Sequence, residues 1–157
     1  MSNRLTFGMI CNHREPKGAR FVLDAVHKAR MQGADFAFLF GERLAHADAM
    51  EIYQKVDVLL EQFVIGFYGL QACEFALMEK PVVVYLNEQD APHLPPGMWE
   101  EIPFINAAAW ELPETIIRIC DMDREELREI GRRGRAFVEK WHSDKAVAGQ
   151  ILEDLGV

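Results

Sequence analysis

The chain has 157 residues, is 50% hydrophobic and 27% charged, and carries a formal net charge of -8 from 25 acidic and 17 basic residues. That length suits one domain with a full core, and so apolar a composition excludes a disordered chain. The acidic balance argues against nucleic acid as a partner, which calls for a dense basic patch, and no apolar run approaches the ~20 residues of a membrane span.

Short apolar stretches alternate with longer helical patterns throughout. "RLTFGMIC", residues 4–11, reads as a first strand. "KGARFVLDAVHKARMQG" follows, with Phe21, Val22, Ala25, Val26 and Ala29 on one helical face and Gly33 as its stop. "DFAFLFG" is a second strand, "HADAMEIYQKV" a short helix with Ala49, Ile52, Tyr53 and Val56 inward, and "DVLLE", residues 57–61, a third strand. "LQACEFALMEK" is helical and feeds "PVVVYL", a β-branched strand buried on both faces. A proline-rich stretch, residues 87–102, reads as a long loop of the kind that often lines a site. "PFINA" is a fifth strand, and three helices close the chain. Asp123 with Glu126 suggests a capping box for the middle one, and Ser143 a cap for the last. The "REELREIGRRGR" run interleaves acids and bases and reads as a solvated helix face.

This succession predicts a single α/β domain, Rossmann-like, with a mostly parallel doubly wound sheet and helices on both faces. Ligands in such sheets bind beyond the C-terminal strand ends, at the switch in strand order. The loops to inspect are therefore "NHREPKG", "GERLAH", "EQFVIGFYG" and "NEQDAPHLPPG". Cys11, Cys73 and Cys120 form no CxxC pair, which points to buried reduced thiols and, with no secretory signal at the start, to a cytoplasmic protein.

Two helix starts invite an anion. In "CNHREPKG", Lys17 supplies a charge and Gly18 a close approach for a phosphate, with Asn12, His13 and Arg14 beside them. In "IGFYGLQACE", Gly66 and Gly69 offer backbone donors, and Glu74 stands five residues past Gly69, about 7.5 Å along a helix. A carboxylate there suits a vicinal diol such as ribose. Together these spacings fit a nucleoside diphosphate, although an ordinary charged helix start and a solvated helix glutamate explain each piece separately. There is no Walker A loop, GxGxxG fingerprint, GxSxG elbow or HExxH, and the five histidines show no metal-ligand spacing.

At these residues the chain resembles a family. "KGARFVLDAV", "YQKVDVLLEQFVIGFYGLQACEFALMEKPVVVY", "PFINA" and "LREIGRRGRAFVEKWHS" are similar to the C-terminal half of GT-B retaining glycosyltransferases of group 1, GT4-like. The resemblance implies a hexosyltransferase domain that binds a nucleotide-sugar donor (UDP-, GDP- or ADP-sugar), needs no metal or other cofactor, and transfers with retention to a glycan or lipid-linked acceptor. It implies that Lys17, Gly18, Gly69 and Leu70 serve the donor diphosphate and Glu74 the ribose hydroxyls, with Asn12, His13, Arg14, Gly66 and Tyr68 as accessory positions. It also implies a partner, an N-terminal acceptor domain of the same enzyme that these residues lack, so that the isolated chain is inactive alone. Peripheral membrane association of the full enzyme is compatible with it. The chain departs from the family in having Gly66 where a first glutamate is usual and Asn12 where an arginine is common. Two other readings fit the same elements: a non-catalytic flavodoxin-like module, and half of a related two-domain epimerase or phosphorylase.

Overall fold

In the computed structural model, which describes residues 4–156, five strands form one parallel sheet. They are β1 (Thr6–Cys11), β2 (Ala37–Glu42), β3 (Val58–Leu60), β4 (Val82–Val84) and β5 (Ile105–Asn106), in the order β2-β1-β3-β4-β5. Every pairing is parallel, Phe7 opposing both Phe38 and Val58. The strand order reverses direction between β1 and β3, which places the ligand crevice of a doubly wound sheet above those two strand ends.

Helices cover both faces because successive strand side chains point to opposite sides. Phe7, Met9 and Cys11 of β1 pack with Val58, Leu60 and Val83 beneath α2 (Ala19–Met31) and α6 (Leu112–Asp121). Ile10, Leu59, Val82 and Val84 face the other way, into a second cluster with α3 (His46–Lys55), α4 (Leu70–Leu77) and α7 (Arg124–Trp141). Val22, Ala25, Val26 and Ala29 are buried as the helical spacing predicts, while Phe21 is half-buried at the edge.

Three expectations need amending. The helix expected from Lys17 is two pieces: one turn, α1 (Arg14–Lys17), then α2, separated by Gly18 at φ +75°, where only glycine turns without strain. The proline-rich stretch is not structureless. It holds a 3-10 turn (Glu88–His93), whose N-cap Asn87 accepts from the Gln89 N–H, and a short helix α5 (Met98–Glu101) with Met98 buried. At the third site, Asp123 caps α7 by accepting from the Glu125 N–H at 2.7 Å, while Ser143 caps α8 (Asp144–Asp154) through the Ala146 N–H as expected.

The charged run in α7 does carry exposed ion pairs, Arg132 with Glu125 and Glu129 and Arg135 with Glu139. Its two glycines have another role. A Cβ on Gly131 would overlap the Glu79 carbonyl oxygen, and one on Gly134 would sit 3.3 Å from Ala76 Cβ. Glycine there lets α7 lie directly against the C-terminal end of α4. Beside this seam, Lys80 turns its ammonium onto the end of α3, donating to the carbonyls of Tyr53 (2.6 Å), Gln54 (3.0 Å) and Val56 (2.6 Å). These are carbonyls at and just beyond the helix end, which a cation satisfies well.

Candidate functional site

A cleft of about 480 Å³ opens above the C-terminal ends of β1 and β3, at the reversal of strand order. Its walls come from Cys11, Asn12 and His13 after β1, Leu44 and His46 after β2, and Ile65, Leu70, Gln71 and Glu74 around the start of α4. Lys17 and Glu74, 57 positions apart, both line it. Three of the four loops singled out from the sequence contribute. The proline-rich stretch does not: Leu94, Pro95, Pro96 and Met98 line a different groove against α8.

Glu74 sits beside the hydroxyl of Tyr53, which also receives a hydrogen bond from Gln71 Nε2 at 2.8 Å. Burial pushes the Tyr53 phenol above its ordinary pKa, and the Glu74 charge adds to the rise. Tyr53 therefore stays protonated, with an O–H able to donate to the carboxylate and hold it at the cleft wall. Gln71 Oε1 is buried and, among the described residues, has no hydrogen-bond partner.

Behind the Lys17 wall lies a residue that the sequence reading passed over. Glu61, just beyond β3, is completely buried, and its Oε1 takes a hydrogen bond from Lys17 Nζ at 2.6 Å. The Gly69 N–H points at the same carboxylate, 3.3 Å from Oε1 and 3.2 Å from Oε2. The Gly69 donor expected to serve a ligand is thus engaged by the protein's own anion. A Cβ on Gly69 would come 2.9 Å from Glu61 Oε1, so glycine here makes room for the carboxylate. The signal was an acid ending an apolar strand, "DVLLE"; a terminal strand residue and a buried counter-ion look alike in sequence.

Gly18, expected at the diphosphate, and several accessory positions are committed elsewhere. Gly18 is buried under Phe63 and Val64, and its N–H goes to the Glu15 carbonyl. Arg14 forms two hydrogen bonds to Glu42, at 2.9 and 2.8 Å, and lies over the Phe40 ring. That pairing, through the hydrogen bonds first, raises the arginine and lowers the glutamate from their ordinary values. Tyr68 turns into the core, edge-on to Phe104 and Phe137, with its hydroxyl 2.7 Å from His142 Nε2. Gly66 has φ +86°, and a Cβ there would press on Asn87 Cβ at 2.9 Å. A glutamate at that position would be strained on both counts, which accounts for the departure seen in the sequence. Asn12 and His13 remain exposed on the cleft wall, and the Leu70 side chain stands at its mouth.

No family model and no curated protein matches the chain. Solved structures do. The C-terminal domain of the group 1 glycosyl transferase LpcC from Francisella tularensis superposes with a TM-score of 0.60 at 15% identity, over 89% of this chain and 87% of that one. The chain has the fold of a group 1 glycosyltransferase C-terminal domain. HepE (Alr3699) from Anabaena, solved with UDP-glucose, matches with a TM-score of 0.64 at 16% identity over 98% of this chain. The present chain spans about half of HepE, 49% of its length. Among the described residues no helix is long and apolar enough to cross a membrane, and no cluster of three or more His, Cys, Asp and Glu side chains could hold a metal.

Proposed function

We propose that this domain is the donor-binding half of a glycosyltransferase, taking a nucleotide-sugar and working with a second, acceptor-binding domain to transfer the sugar, with retention, to a glycan or lipid-linked acceptor. The observation that carries the reading is the convergence of Lys17 and Glu74 on one cleft at the β1/β3 switch point, in a domain with this fold. HepE, which shares the fold, was solved with UDP-glucose, in keeping with such a ligand.

In this reading the Lys17 ammonium, with N–H donors beyond the one given to Glu61, meets the diphosphate, and the first turn of α4 at Gly69 and Leu70 adds its dipole. Glu74, oriented by Tyr53, accepts from the two ribose hydroxyls. Asn12 and His13 border the phosphates. Gly18 shapes the turn that brings Lys17 to the cleft. Chemistry needs the leaving nucleoside diphosphate stabilised by fixed positive groups, which is electrostatic work a prearranged site does well.

Titration calorimetry tests the ribose assignment. Glu74→Gln keeps the size but removes the charge and one acceptor oxygen, so binding of UDP, GDP or ADP, whichever the parent prefers, weakens by roughly 1.5–3 kcal/mol. The 2′,3′-dideoxy form of that ligand loses much less. Equal losses for the two ligands would make Glu74 structural and remove the nucleotide reading's main support.

A further inference from the structure

Resting on the donor-site reading above, we infer that Glu61 is a resident counter-anion that limits how tightly this site holds a nucleoside diphosphate. The carboxylate already engages two of the groups that a phosphate oxygen would use. It takes the Lys17 ammonium at 2.6 Å and faces the Gly69 N–H at 3.2–3.3 Å, at the cap of α4. Charge-assisted contacts of this kind are what an anionic ligand would form there.

The charges around the cleft decide which effect dominates. Among the described residues that line it, Lys17 is the single lysine or arginine and Glu74 the single carboxylate, beside two histidines, His13 and His46. Glu61, directly behind Lys17, cancels that one cation at contact distance. An incoming diphosphate therefore meets no net positive field from these side chains, and its affinity is set by Glu61 as much as by Lys17.

The carboxylate cannot step aside. It is completely buried, it packs where a Gly69 Cβ would be, and leaving Lys17 would strand a buried charge. Lys17, whose side chain is 25% exposed, is instead shared between its permanent partner and the ligand. A shared lysine binds a diphosphate product less tightly than a lone one, which favours its release after transfer.

The test uses the 157-residue chain with UDP, GDP and ADP and their nucleosides, by calorimetry. Glu61→Gln retains an oxygen for Lys17 and Gly69 but removes the charge. It is expected to bind the preferred diphosphate about tenfold more tightly at low ionic strength, as expected for loss of a like charge several ångströms away. Nucleoside affinity changes less than about twofold, and the gain shrinks as salt is added. In a Lys17→Met, Glu61→Gln double variant the diphosphate preference disappears. Should Glu61→Gln fail to fold, Glu61→Met, of similar volume, reports the same sign. Unchanged or weaker diphosphate binding by a folded Glu61 variant overturns the inference, leaving Glu61 as an anchor for Lys17. That result, with the Glu74 discrimination between diol and dideoxy ligand intact, spares the donor-site reading. No binding of any diphosphate by parent and variant alike overturns both.

Discussion

The two ends of α4 use glycine and a charge held by the fold for opposite purposes. At its C-terminal end Gly131 lets α7 come against the Glu79 carbonyl, and Lys80 saturates its ammonium on three carbonyls around the end of α3. Those groups are paired within the fold, and neither Gly131 nor Lys80 lines the cleft. At its N-terminal end Gly69 makes room for Glu61, whose partner Lys17 also lines the cleft. A partly buried cation spread over neutral carbonyls is a fixed joint. A buried carboxylate tied to one partly exposed lysine leaves part of that lysine's bonding available to a ligand. The same helix is thus clamped at one end and chemically available at the other.

The sharpest way to break this contrast is at the clamped end. Gly131→Ala is expected to lower the unfolding free energy by about 3 kcal/mol or more, because its methyl meets backbone that cannot rotate away. Gly134→Ala, facing only Ala76 Cβ at 3.3 Å, should cost far less. Urea unfolding of the pair measures the difference; equal, small losses would show that α7 slides freely and that the seam is no clamp.

Lys80 sharpens the same point with a smaller effect. Lys80→Met removes the ammonium donor shared by the carbonyls of Tyr53, Gln54 and Val56, at a cost of about 2 kcal/mol. Because Tyr53 hydrogen-bonds Gln71 and stands beside Glu74, loosening the end of α3 should also weaken diol binding while the dideoxy ligand is less affected. Full stability in the variant would mean that water serves those carbonyls equally well.

The smallest expected effect concerns the residue before the open end. The Tyr68 hydroxyl and His142 Nε2 share a hydrogen bond, and burial holds His142 below its ordinary value of 6.5. The unfolded chain then binds the proton more readily, so stability is full above about pH 6.5 and declines as the pH falls from there through the lowered folded value. Thermal melts between pH 7.5 and 5 should show the decline, and His142→Asn should flatten it. An undiminished slope in that variant would assign the titration to another group.

Much of the fold was legible before any coordinates. The apolar stretch "RLTFGMIC" and the helical spacing of Val22, Ala25, Val26 and Ala29 report local geometry, and both match the structure, the first as a strand buried on both faces and the second as a helix with one buried face. Strand ends near Lys17 and before Glu74 pointed to the crevice that both residues line in the structure, because a doubly wound sheet opens on its C-terminal side. Arg14 was legible as a cation but not as one already bonded to Glu42, and Tyr68 as an aromatic but not as a core residue. The proline run suggested a site loop, yet Met98 turns it into part of the second core.

What the sequence by itself determined, then, is the order of strands and helices and which face of each is apolar. Those properties depend on neighbours within a few positions, through backbone sterics and side-chain periodicity. Only the tertiary structure decided the partners: Lys17 with Glu61 across 44 positions, Tyr68 with His142 across 74, and Gly131 with Glu79 just past the end of α4. A charge at the end of a strand has the same local pattern whether water or a lysine will face it. Its pairing follows from how closely the folded elements approach, and so Glu61 shows its role only when α1, β3 and α4 meet.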